Sequence, residues 1–412
     1  MTSRTIIVLL THNRPKILKR CISTAIKHSK IASNVCWIVI DDSSTEQTLK
    51  NLDVLKEFAS SGLDIIHITD SKQLEIFQII STYTLNQDYE IIFEKSYHRD
   101  ISGLRNLGLF LNFIFKSDLT FFIDDDMVGC VDSSNREMCF FDYVQKNYDN
   151  SKNCIIGSTL MGILDESYIG RFAYLINHNM NSIFEQDRDL SYSDKDWNFQ
   201  ENPLWIDSKP PSEKYPTHTS AGLLGFKLNS NSVIPFPSGY NEDWNWCLFQ
   251  AALHGTKINK AELTALHSPS SFFKPKQEGI LWEMIGECIF DFILQVINSK
   301  NSSTLKDIET QIKPNDIINK KIESLDSLIS NVEKHVENYS QIQKQELKDY
   351  LIEIKKARNS LENSNIQSLV NLWFSDLSKR NAIFSSIIQD EVLCKHVRNS
   401  LEFVKSKEKI VT

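Results

Sequence analysis

Between residues 5 and 130 short apolar runs alternate with stretches in which apolar residues recur every three or four positions, the pattern of a parallel sheet covered by helices. TIIVLL (5–10) predicts a strand, and Leu18, Cys21, Ile22 and Ala25 then mark one face of a helix opening near Pro15. CWIVID (36–41) predicts the second strand and LDIIHIT (63–69) the third, with Leu49, Leu52, Leu55 and Phe58 lining a helix between them. From Ser102 onward Leu104, Leu107, Gly108, Leu111 and Phe115 outline another core-facing helix, which runs straight into the strand LTFFID (119–124). Strand signals return in SAGLLGFKL (220–228) and KAELTALH (260–267), with a helix expected in the second half of GYNEDWNWCLFQAALHG (239–255). The polar and aromatic stretch at 168–216 reads as a long loop over the sheet, a lid or an acceptor platform. Beyond about residue 298 glycine and proline become scarce, and Ile318, Ile322, Leu325 and Ile329, then Leu351, Ile354 and Leu361, form narrow helical stripes. The expected division is therefore 1–297, with a nucleotide-binding half at 1–130 and an acceptor half at 131–297, followed by a helical domain at 298–412 that serves docking or oligomerisation.

In open parallel sheets ligands bind outside the carboxyl ends of the strands. THNR, DDSS and DDD follow the first strand, the second strand and LTFFI, so all three should open on the same edge. Three consecutive acids, Asp124, Asp125 and Asp126, repel one another unless a cation or hydrogen-bond donors compensate, and a divalent metal is the simplest compensation. An isolated triplet of this kind would more often be a solvated turn, and Asp41–Asp42 alone could cap the next helix. Arg105 and Asn106 begin the helix before the DDD strand, where a cation could meet an anion at that edge.

Composition narrows the partners. A chain of 412 residues, 41% hydrophobic and 24% charged, can bury a substantial core. Its net charge of -8 argues against general nucleic-acid binding, which calls for a basic face. The eight cysteines are scattered singly, without zinc-site spacing, and read as reduced core residues. Neither the apolar run after MTSRT nor CIFDFILQVI (288–297) reaches membrane-spanning length, so a cytoplasmic protein is expected, with contact at a membrane surface left open.

Taken together, THNRPKILKRCISTAI, WIVIDDSS, LRNLG and FFIDDDMVG resemble the amino-terminal half of the family-2 glycosyltransferases, enzymes of the GT-A fold. The resemblance implies an α/β, Rossmann-like mixed sheet flanked by helices, here followed by an α-helical carboxy-terminal region. It implies Thr11, Arg14 and Asp42 at the nucleotide base and Arg105 near the nucleotide. It further implies Asp126 as ligand to Mn2+ or Mg2+, with Asp124 or Asp125 on the ribose and Asp124 also a candidate metal ligand. GYNEDWNW resembles the family's Glu-Asp element, making Asp243 the general base toward an acceptor hydroxyl and Glu242 its neighbour. The same two acids would also suit the first turn of a helix. His267 could complete the metal site, as a histidine does in several GT-A subgroups, although a lone histidine after a strand is more often structural. Trp244 and Trp246 suit sugar stacking or the core, and Gly222 and Gly225 suit close backbone approach near the acceptor or a tight strand turn.

The implied activity is metal-dependent transfer of a sugar from a nucleotide-diphosphate donor to a carbohydrate, lipid-linked or peptide acceptor, with inversion. Two alternatives stand beside it. A sugar nucleotidyltransferase would share the sheet but needs a glycine-rich loop that THNRPK lacks, and a degenerate GT-A-like scaffold would act through the helical tail. That tail suits a dimerisation hairpin, an acceptor-docking arm or a recruiting surface.

Overall fold

The computed structural model describes residues 5–29, 31–84, 90–93, 101–131, 136–148, 153–162, 220–239, 242–267, 277–298, 304–311, 314–335, 341–363 and 366–405. The expected loop at 168–216 lies outside the described residues.

Strands β1 (Thr5–Thr11), β2 (Cys36–Asp41), β3 (Asp64–Ile68) and β4 (Leu119–Asp124) are built from β-branched and aromatic residues and pair in parallel. Helices α1 (Pro15–His28), α2 (Thr45–Ser60), α3 (Asp70–Thr84), α4 (Glu90–Phe93) and α5 (Ser102–Ile114) lie between them in the chain. Alternate strand residues enter opposite cores. Ile6, Val8, Ile38, Ile40, Ile66 and Phe122 face one layer, and Ile7, Leu9, Trp37, Val39, Ile65 and Phe121 face the other. The first layer holds α3 and α5, and the second holds α1 and α2.

The second half extends the sheet in mixed fashion. Strands β5 (Met127–Val131), β6 (Glu137–Met138), β7 (Cys154–Gly162), β8 (Ser220–Lys227) and β9 (Lys257–His267) complete nine strands in the order β3-β2-β1-β4-β8-β7-β9-β5-β6. β8 runs antiparallel to β4, and β7 runs parallel to β9. Helix α6 (Phe140–Asn147) covers the α1 face, where Phe121 meets the Phe141 ring edge-on at 4.9 Å. The described strands and helices thus form an α/β fold with a mixed sheet between helical layers. Of the elements missed by sequence periodicity, α3 carries a weak apolar stripe, and β5 to β7 are short or broken by bulges.

Helices α7 (Glu242–His254) and α8 (Gln277–Asn298) precede the tail helices α9 (Leu305–Gln311), α10 (Pro314–His335), α11 (Gln341–Asn363), α12 (Ile366–Gln389) and α13 (Glu391–Ser400). The tail is not a separate apolar cluster: Leu325, Tyr350, Phe374, Phe384 and Leu393 belong to the same core as α5 and α7. After α13 the chain returns to the free edge of β3, where Phe403 bridges Ile66 and the Val404 amide donates to the Ile65 carbonyl at 2.7 Å. The described cysteines are all free thiols, most of them buried, and Trp246 is a core side chain. No helix among the described residues is long and apolar enough to cross a membrane.

Two glycines mark close packing. A Cβ at Gly225 would stand 2.6 Å from Val144 Cγ1 of α6. One at Gly108 would stand 2.8 Å from Val8 Cγ1 of β1 and 3.0 Å from the Phe122 ring of β4, so the absence of a side chain lets α5 press onto the sheet. Gly108→Ala should therefore lower stability by about 1–3 kcal/mol through overpacking, despite alanine's better helix propensity. Urea unfolding measures this, and an unchanged or raised midpoint would show that α5 can shift without loss.

Candidate active site

The carboxyl ends of β1, β2 and β4 converge as their parallel register requires, with Leu10 opposite Asp124 and Thr11 opposite Asp41. Backbone bonds hold the loops together, from the Asp42 amide to the Thr11 carbonyl and from the Asp125 amide to the Leu10 carbonyl, both 3.2 Å. Asn13 takes a left-handed conformation (φ 55°), which asparagine tolerates, and fastens the first loop to the second. Its amide donates to Ser43 Oγ at 2.6 Å and its side-chain oxygen accepts from the Ser44 amide at 2.8 Å.

The two acids after β2 have different surroundings. Asp41 is fully buried and accepts from the Ser43 amide at 3.0 Å and from Asn51 Nδ2 at 3.0 Å, while His67 Nε2 of β3 lies 2.9 Å away. Burial alone would raise its pKa, but the bonds from His67, Ser43 and Asn51 outweigh this and hold it below the ordinary value. Asp42 points outward and meets exposed His12, Nδ1 to Oδ1 at 2.7 Å. Neither histidine was singled out from the sequence, although a polar residue inside the apolar run of DIIHI was a signal for His67.

The three acids after β4 also divide. Asp125 is fully buried, accepts from Thr11 Oγ1 at 2.6 Å and lies 2.6 Å from Arg14 Nη2. Asp126 accepts from Arg14 Nη1 at 3.0 Å. Asp124 lies 3.2 Å from Arg105 Nη2 and its side chain keeps 25% exposure. Burial first, and then the neighbouring Asp126, push Asp125 up to about 7 against the lowering effect of Arg14. Arg14, expected at a nucleotide base, is directed into this acid cluster.

Arg105, on the first turn of α5, is buried and joins the cluster to α7. Its Nη1 bonds Glu242 and lies 3.8 Å from Asp243 Oδ2. Burial would lower the Arg105 pKa, yet Glu242, Asp124 and Asp243 together raise it, so it remains a cation. Asn106, next in sequence and assigned no role by its residue type, binds the segment before α7 at both backbone groups of Phe236. Its Oδ1 accepts from the Phe236 amide at 2.6 Å, and its Nδ2 donates to the Phe236 carbonyl at 3.1 Å.

The backbone of His267 pairs with Met127, directly after Asp126. Its side chain lies outside the described residues. Among the described residues no three of His, Cys, Asp and Glu form a group that could hold a metal ion by themselves. The chemistry of the acids fits a shared cation instead. Five carboxylates, Asp124, Asp125, Asp126, Glu242 and Asp243, pair with two guanidiniums, Arg14 and Arg105, which leaves this group of side chains negative. Hard divalent cations are commonly held by one or two carboxylates together with ligand phosphates and water.

No protein-family model matches the chain. No curated protein matches it. Among solved structures it is similar to a mannosyltransferase from Pyrobaculum calidifontis in complex with GDP-Man and Mn2+, at 9% identity over 92% of this chain and 88% of that one, TM-score 0.39. It is also similar to glucosyl-3-phosphoglycerate synthase from Mycobacterium tuberculosis in complex with Mn2+, UDP and glucosyl-3-phosphoglycerate, at 13% identity over 70% and 78%, TM-score 0.36. A third is S. aureus TarS in complex with UDP-GlcNAc, at 12% identity over 87% and 90%, TM-score 0.34. At these TM-scores none of the three bears on the chemistry of the site.

Asp41 supplies a test of the site's framework. A carboxylate whose pKa is depressed in the folded state stabilises the fold above its unfolded pKa and loses that contribution as pH falls through the folded value. The stability advantage of the wild type over Asp41→Asn should therefore shrink as pH drops below about 4. Urea titrations at stepped pH measure it, and a difference that stays flat would mean that Asp41 is not held ionised by His67, Ser43 and Asn51.

Proposed function

We propose that this chain is a metal-dependent glycosyltransferase that moves a sugar from a nucleotide-diphosphate donor to an acceptor hydroxyl with inversion at the anomeric carbon. The observation that carries the reading is the Arg105 bridge, which brings Asp124 at the end of β4 and Glu242–Asp243 at the start of α7 within reach of one guanidinium. A donor at the sheet edge and an acceptor at α7 would then meet at adjoining positions. Asp42 borders the nucleotide, Asp124 takes the ribose, and Asp126 is the carboxylate for the cation, with His267 as a further ligand. Asp125 holds the loop from within, since Thr11 and Arg14 occupy it and it has no exposed surface. The bound cation, Mn2+ or Mg2+, would neutralise charge on the leaving diphosphate.

Asp243 is the better placed of the two acids to act as base, because Glu242 is engaged more closely by Arg105. Its carboxylate accepts the acceptor's hydroxyl proton as the oxygen bonds to the anomeric carbon, while the bond from that carbon to the diphosphate oxygen breaks and the electron pair leaves with the diphosphate. Arg105 holds Asp243 in orientation and offers positive charge toward the departing anion.

The first experiment is a panel of UDP-, GDP- and dTDP-sugars, screened for binding and for nucleoside-diphosphate release with Mn2+ or Mg2+. If no donor binds with either metal, the enzyme reading fails. Asp126→Ala should abolish metal-dependent donor binding. Asp243→Asn should keep donor affinity within about twofold and slow transfer by about 10²–10⁴-fold, the usual contribution of a general base. Wild-type rates in Asp243→Asn would remove the base assignment, and retention of the donor's anomeric configuration, read by NMR of the product, would exclude inversion.

A further inference from the structure

The segment 233–239, VIPFPSG, leads into α7 and has no regular structure. Pro235 and Pro237 lack backbone amides, so the segment cannot join the sheet ladder, and side chains from three helices hold it instead. Asn106 of α5 grips Phe236. From α7, Trp246 Nε1 donates to the Ile234 carbonyl at 2.7 Å, and Gln250 Nε2 donates to the same oxygen at 3.1 Å. The third helix is α12, far along the carboxy-terminal tail. Trp373 Nε1 donates to the Ser238 carbonyl at 2.7 Å, and Asp376 accepts from the Ser238 hydroxyl at 3.3 Å while bound to Arg380 Nε at 2.6 Å.

Trp373 also touches α7 itself. Its ring stacks on Phe249, with centroids 5.9 Å apart and planes inclined by 27°. Gly239, which directly follows the gripped carbonyl, has φ +107° and sits below the indole, where a Cβ would come within 3.8 Å of Trp373 Nε1. One indole therefore fixes both the approach to α7 and the body of the helix, a few residues from Glu242 and Asp243.

We propose that α12 is a brace for the reacting acids: Trp373 and Asp376 are positioning residues that set the first turn of α7 against Arg105. The helical tail then belongs to the catalytic machinery in addition to any docking role. This rests on the reading of Asp243 as the base, but the brace has a physical readout of its own.

Trp373→Phe keeps a ring on Phe249 and removes the indole N–H. Hydrogen exchange should quicken by about tenfold or more in the peptide spanning 233–247, while peptides from β1 and β2 stay unchanged. Metal-dependent donor affinity should hold within about twofold, and kcat should fall by about tenfold or more, since small misplacements of a reacting group are costly. Unchanged exchange at 233–247 would overturn the brace whatever the activity. Quickened exchange with wild-type kcat would show that the contact is structural only. Failure of the wild type to bind any donor would sink the functional reading and leave the exchange result to decide the brace. Should Trp373→Phe fail to fold, Ser238→Ala carries the same readouts, because it removes the hydroxyl from which Asp376 accepts.

Discussion

The buried guanidinium of Arg105 is the interaction on which the rest of the site depends. A cation taken this far from water is tolerated only with anions around it, and Asp124, Glu242 and Asp243 provide them from two different elements. The constraint is mutual, because removing Arg105 would leave carboxylates facing one another in the same enclosed space. Its position follows from the packing of α5. Gly108 brings that helix down onto β1 and β4, and Asn106 ties the same turn to Phe236. Three residues of one helical turn, Arg105, Asn106 and Gly108, thereby link sheet, loop and acid-bearing helix.

A second regularity runs through the acidic turns. In each, one carboxylate is fully buried among its neighbours while another keeps more contact with solvent. Asp41 is enclosed by Ser43, Asn51 and His67, and Asp42 is turned to the exposed His12. Asp125 is enclosed by Thr11 and Arg14, and Asp124 keeps solvent access. The buried acids shape loops whose more exposed acids are available to a ligand.

Much of this was legible in the residue pattern. The parallel strands announce themselves as short runs dominated by Ile, Val, Leu and Phe, and their order places THNR, DDSS and DDD at one edge. Other parts were hidden for physical reasons. Arg14 was expected at a nucleotide base, and only the β1 to β4 pairing brings it to Asp125 and Asp126. The partnership of Asn51 and His67 with Asp41 joins residues on three elements, and no local spacing encodes it. Asn106 looks like any polar residue on a helix, because its role depends on a loop from the other half of the chain. The tail helices show their apolar stripes plainly, yet a stripe does not say what it will meet.

The return of Phe403 and Val404 to β3 bears on how the chain is made. Strand β3 is an edge from the moment it pairs with β2, and the segment that covers it is encoded far downstream. During synthesis the amino-terminal sheet can form early while its outer strand still offers unpaired amides and carbonyls to any neighbouring extended chain. The nascent protein therefore passes through a long interval in which its first-formed sheet is adhesive, and closure waits for residues 403 and 404 to leave the ribosome.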